Sequence, residues 1–224
     1  MRFGAGTVGN VGQGLTLAAL LTGLMTGCGT EAEDAAPGGA SATATAKVAQ
    51  RGGSIGASGS ACELPVTFDT AEFWKAKSVD AEEASSATGD LADLADAFLR
   101  QGPVTMRCEV DAKPAGKIGF LRVWTGEPGD TDARAVLEEF VAAEQGASGA
   151  RYSTVKAGGV TGTEVVYVTT SELLEETKQE HAFAVTTPEG PVVLHLGGLD
   201  TSEHRAMLPA YELAKSTLRT TAAG

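Results

Sequence analysis

The sequence predicts an α+β fold, an antiparallel sheet with helices packed on its faces, and three observations carry that expectation. Four strand-like stretches between Tyr152 and Leu196 come in pairs separated by "AGGVTG" and "PEG", and strands joined by turns that short pair antiparallel. Val136, Leu137, Phe140 and Val141 recur at helical spacing, as do Met207, Leu208, Tyr211, Ala214 and Leu218. A helix with one apolar stripe must bury it, and the sheet supplies the surface.

Taken in order, the chain opens with one positive charge, Arg2, followed by the apolar stretch Leu15 to Met25 and the small residue Gly27. That is the layout of an export signal. The stretch is well short of the ~20 residues a helix needs to cross a bilayer core. Met25, Thr26, Gly27 and Cys28 resemble the bacterial lipobox. The resemblance implies that residues 1–27 are a lipoprotein signal peptide and that Cys28 receives a diacylglyceryl group, with attachment to the membrane through two acyl chains. An ordinary signal peptide that contains a cysteine is the alternative.

From Gly29 to Ala61 the chain is rich in Gly, Ala, Ser and Thr and has no aromatic residue. Such a composition buries too little apolar surface to offset the entropy of ordering, so residues 28–61 are expected to be the lipidated cysteine and a disordered tether. A single domain is expected over 62–220. In it "LPVTF" sets Val66 and Phe68 on one strand face, and "DTAEFWKAKSV" reads as a turn carrying Trp74. Asp80 to Gly89 reads as a loop. Leu91, Leu94, Ala95 and Phe98 then mark a short amphipathic helix. "VTMRCEVDAKPAGKIGFLRVWTG" reads as two strands joined at Lys113 to Gly116. Asp130, Thr131 or Asp132 caps the next helix, which ends by Gly146. The strand pairs Tyr152 to Lys156 with Thr163 to Thr170, and His181 to Thr187 with Pro191 to Leu196, come next. The last helix runs from Thr201 to Arg219, with Pro209 expected to kink or divide it.

Lys and Arg number 17 against 29 Asp and Glu, a net charge of −12. That argues against nucleic acid as a partner, because phosphates demand clustered cations. It equally argues against electrostatic docking on anionic lipid, so membrane affinity must come from the acyl anchor. Thiols oxidise outside the cytoplasm, and with Cys28 lipidated an even number remains: Cys62 and Cys108 are expected to form a structural disulfide from the first strand of the fold to a later one. Loop-entropy arithmetic gives that bridge roughly 4 kcal/mol at most.

The candidates for chemistry are sparse. His195 stands between Leu194 and Leu196 and so points away from them, beside Val193. "HLGGLDTSEHR" offers His195, Asp200, Glu203 and His204 as metal ligands, but in no zinc spacing; Asp200 or Thr201 as helix N-cap, with Glu203 in the first turn, accounts for the same residues. His181 completes the histidines. Ser153 and Lys156 form an SxxK, which penicillin-recognising enzymes carry on a helix, whereas here it falls in a strand without SDN or KTG partners. Asp90, Asp93 and Asp96, Glu138 and Glu139, and Glu175 and Glu176 lack the order of a calcium loop and read as solvated faces. Trp74, Trp124 and Tyr211 are groove candidates that more often prove to be core. No catalytic motif, cofactor or metal site is expected.

The order of elements, ending in "VVLHL" and "PAYELAKSTLR", resembles the PsbP-like fold of photosystem extrinsic proteins, found also in LpqN/LpqT-type envelope lipoproteins of actinobacteria. That resemblance covers about Leu64 to Arg219 and implies an α/β/α sandwich that binds partners, with no common catalytic residues. The expected function is thus a membrane-anchored extracytoplasmic lipoprotein on the outer face of the cytoplasmic membrane, a non-enzymatic binding or accessory module with a protein partner in the cell envelope. The alternatives are an exported hydrolase, which calls for polar groups converging near His195 or Ser153, and a carrier of a small apolar ligand, which calls for a large apolar cavity.

Overall fold

A computed structural model describes residues 47–80, 98–173 and 175–221. The chain divides into two compact units, Met1–Thr43 and Ala44–Gly224, and every described residue belongs to the second. The signal peptide, Cys28, the carboxylates Asp90, Asp93 and Asp96, and most of the helix expected at Leu91 to Phe98 lie outside the described residues.

The architecture is mostly antiparallel sheet with helices on its faces, as the hairpin spacing predicts. Strands β1 (Arg51–Ile55) and β2 (Val66–Ala71) form a small sheet that the short C-terminal strand β11 (Arg219–Thr220) completes, in the order β1-β2-β11. The large sheet begins with β3 (Lys75–Ser78) and the two-residue β4 (Arg100–Gln101), which both pair with β5 (Val104–Asp111). It continues through β6 (Gly119–Thr125) and β10 (Gly190–Gly198), then β9 (Glu176–Thr187), β8 (Val160–Ser171) and β7 (Ala147–Ala157). A 3-10 turn at Lys113–Ala115, closed by left-handed Gly116, makes the β5–β6 connection.

Alternation along the central strands divides the interior in two. Val192, Leu194 and Leu196 of β10 join Phe183 and Val185 of β9 on the face covered by helix α2 (Thr201–Thr217) and the small sheet. Val193, Ala182 and Ala184 face the other way, under helix α1 (Ala133–Ala142). Asp132 caps α1 by accepting from the N–H groups of Arg134 and Ala135, and the expected stripe Val136, Leu137, Phe140 and Val141 is buried. Helix α2 is one unbroken run through Pro209, whose carbonyl accepts the Ala49 N–H at 2.8 Å. The division expected at Pro209 is therefore not seen.

Two sequence expectations need correction. The spacer does not reach Ala61: the chain is already docked at Ala49, and β1 pairs antiparallel with β2 through Ser54 opposite Asp69 and Ile55 opposite Phe68. The glycines read as a sign of flexibility serve close packing, since a Cβ at Gly52 would lie 2.6 Å from the Glu72 Cα. Cys62 is also not in the first strand. It sits in the loop between β1 and β2, where it is disulfide-bonded to Cys108 of β5 with a Cα–Cα separation of 5.9 Å, tying the small sheet's loop to the large sheet.

Candidate functional site

The side chains that converge do so on the α1 face of the large sheet. His195 points there, as the alternation of β10 requires. It is buried against the Phe140 ring at 5.4 Å and stacked over Tyr167 at 6.3 Å, while Phe140 in turn meets Trp124 edge-on at 5.6 Å. From β9 comes Glu180, fully buried, with Oε2 at 3.3 Å from His195 Nε2 and Oε1 at 2.8 Å from Lys178 Nζ. From β8 comes Tyr167, whose hydroxyl donates to Glu144 Oε2 at 2.5 Å and lies 3.2 Å from His195 Nε2. Gln101 Nε2 donates to the same Glu144 oxygen at 3.2 Å.

The protons in this cluster follow from its partners. Burial pushes the Glu180 carboxyl up, but the hydrogen bond from His195 and the Lys178 ammonium outweigh it, so Glu180 is held below the usual carboxylate range and stays ionised. Burial, reinforced by Glu144, pushes the Tyr167 hydroxyl far up, so it remains a donor. With Tyr167 donating to Glu144 and Glu180 ionised, both neighbours of His195 Nε2 are acceptors, which assigns the ring hydrogen to Nε2. Among the described residues His195 Nδ1 has no hydrogen-bond partner, and neither does the Trp124 indole N–H.

This cluster floors a groove built from two adjoining cavities of about 470 and 950 Å³ that share Glu144, Lys178, Gly198 and Leu199. The absence of a side chain at Gly197 keeps the floor open, since a Cβ there would stand 3.4 Å from Glu180 Oε2 and 3.7 Å from His195 Cε1. Exposed apolar side chains surround it: Phe98, Ile118 and Leu199 on the smaller cavity, Leu173 on the larger. Ionic and apolar contacts are thus offered side by side, whereas no Ser, Thr or Cys hydrogen-bonds to His195 among the described residues.

On the opposite face His181 Nδ1 lies 2.7 Å from His204 Nε2, the rings stacked at 4.8 Å beneath α2. Beside them the Lys215 ammonium is bound to Glu164 at 2.5 Å and Glu212 at 2.9 Å. His195 and His204 therefore belong to different faces, and Asp200 and Glu203 serve α2: Asp200 accepts from the Glu203 N–H, and Glu203 accepts from the Ile118 N–H at 3.1 Å. Among the described residues no group of three or more His, Cys, Asp or Glu is placed to hold a metal ion. Ser153 and Lys156 sit three residues apart on β7 and so point to opposite faces of the sheet. Glu138 pairs with Arg134, and Glu139, Glu175 and Glu176 are exposed. Tyr211 and Trp74 belong to the core on the α2 face and Trp124 to the core on the α1 face, where it also lines the groove.

The sequence reading missed Glu180, Tyr167, Glu144 and Lys178. One signal was present: Glu180 shares its strand face with Ala182 and Ala184, so a carboxylate stands on a buried stripe.

Fold and groove define a small two-faced α+β domain with an amphipathic surface groove. The chain belongs to a family described as an uncharacterised lipoprotein, whose match covers residues 32–218 and so begins just after Cys28. No curated protein and no solved structure matches the chain. Membership of a lipoprotein family fits attachment to a membrane through lipid, and among the described residues no helix is long and apolar enough to cross one.

Proposed function

We propose that this lipoprotein is held through a diacylglyceryl group on Cys28, stands on the outer face of the cytoplasmic membrane, and works there as a non-enzymatic binding module. The observation that carries the binding role is the groove: exposed Phe98, Ile118, Leu173 and Leu199 stand around a polar floor. Exposed apolar side chains grouped on one concave surface mark an interaction site. The likeness of element order to PsbP-like domains supports the same reading, because those domains act by binding partners.

A second reading, an exported hydrolase, draws on the convergence of Glu180, Tyr167 and Glu144 around His195. It is the weaker of the two. Nδ1, the nitrogen left free by the Nε2–H assignment, is enclosed, and no hydroxyl or thiol nucleophile is bonded to the ring among the described residues.

Crosslinking in intact cells, followed by identification of what is attached, tests the proposal. Reproducible recovery of an envelope protein is expected; no partner, together with turnover of a substrate that needs His195, overturns it.

A further inference from the structure

The groove has a chemical preference, set by which of its charges are already matched. Lys178 lines both cavities, but its ammonium is bound to Glu180 at 2.8 Å and to the Gly198 carbonyl at 3.4 Å. Arg122 is bonded to Glu109 at 2.9 Å and lies over the Phe120 ring. Among the described residues Glu144 receives only the neutral donors Tyr167 and Gln101. Glu172 and Glu176, both exposed, line the larger cavity with Glu144, and among the described residues none of the three has an ion-pair partner. The surplus charge of the groove is negative, as is that of the chain.

Two independent features turn this acidic stretch into a recognition surface. Apolar side chains stand beside it in solvent, Leu173 at 91% exposure and Phe98 at 74%. In addition, a lining side chain more than nine-tenths buried holds a polar atom that has no partner among the described residues, the Trp124 indole N–H. A buried indole N–H lacking an acceptor is satisfied by a carbonyl oxygen, and a peptide backbone brings carbonyls at regular intervals.

We propose that the groove takes an extended segment of a partner protein in which apolar side chains alternate with Lys or Arg. The apolar side chains meet Phe98, Ile118, Leu173 and Leu199, and the cations meet Glu144, Glu172 and Glu176. This inference rests on the binding reading above and adds the charge of the partner.

The test uses the full chain carrying Cys28→Ala, which removes the lipid, and two labelled 12-residue peptides, one alternating Leu and Lys and one alternating Leu and Glu, read by fluorescence anisotropy. The Leu/Lys peptide is expected to bind at least tenfold more tightly, and Glu144→Gln, Glu172→Gln and Glu176→Gln together to erase that difference. The same number of charges removed at Glu127, Asp130 and Glu189, outside the groove, should leave it intact. Equal weakening by both sets of variants would show attraction to net charge alone and overturn the site. Tighter binding of the Leu/Glu peptide, lost in Leu199→Asp, overturns the charge preference and keeps a binding groove. If neither peptide binds, this inference fails, and the binding reading fails with it only when the crosslinking in cells also finds no partner.

Discussion

His204 of α2 and His181 of β9 share one hydrogen bond at 2.7 Å in the interior, so the helix and the sheet beneath it are joined through a pair of titratable rings. Burial, and then the neighbouring His181, lower His204 from its ordinary 6.5 to about 4, and burial first also lowers His181. Between pH 6.5 and about 4 the unfolded chain takes up a proton that the folded one refuses. The stability is complete above pH 6.5, declines as pH falls through that window, and changes no further from this source below it. The shift amounts to at most about 3 kcal/mol, which is a fall in Tm of roughly 6–12 °C for a domain of this size. Thermal melts at pH 7.5 and 4.5 check it, and His204→Phe should flatten the dependence. Glu180, held below the usual carboxylate range, adds its own loss only at lower pH, so the two contributions separate.

The Cys62–Cys108 bridge closes a separation of 46 residues. Its removal in Cys62→Ser with Cys108→Ser is expected to cost about 2–4 kcal/mol. Urea unfolding with and without reductant measures this, and mass spectrometry of the non-reduced protein should find the two cysteines linked.

Gly52 lies against the backbone of Glu72, where a Cβ would come within 2.6 Å. Gly52→Val should push β1 away from β2 at a cost of about 1–3 kcal/mol. Limited trypsin digestion reads the effect: the parent should be cut at Lys47 and spared at Arg51, whose side chain is bound to Asp69 at 2.7 Å, and the variant should be cut at Arg51 as well.

Phe140 packs on both Trp124 and His195. Truncation in Phe140→Ala leaves a cavity under the groove floor and is expected to destabilise the domain by about 3–5 kcal/mol. A red shift of the tryptophan emission should accompany it as water reaches Trp124.

Replacing Cys28 with Ala should move the protein from the detergent phase to the aqueous phase on partitioning. Unchanged partitioning would remove the anchor from the account.

These elements differ in how far residue order reveals them. Strand β8 and the stripe of α1 are legible because each buries one face and so alternates or recurs in sequence, and β10 because both its faces are buried and its apolar residues run on almost unbroken. Strand β1 is hidden because its pairing depends on backbone contact: Gly52 and Gly53 carry no apolar pattern, and the partner strand that explains them lies beyond the loop holding Cys62. His195 was visible, yet its partners were not. Glu180 and Tyr167 reach it from neighbouring strands through a register in which Ala182 stands opposite His195 and Tyr167 opposite Glu180, a relationship that sequence spacing does not encode. The groove is hidden for the same reason, since Phe98, Ile118, Leu173 and Leu199 come from four separate connections.

The central claim is that a lipid-held domain meets its partner through this groove. A photocrosslinking residue at Leu199, compared in intact cells with one at exposed Ser153 away from the groove, tests it most directly. The account predicts one reproducible envelope protein attached at Leu199, absent at Ser153 and diminished by Cys28→Ala. Equal labelling from both positions, or a product at Ser153 alone, would contradict it.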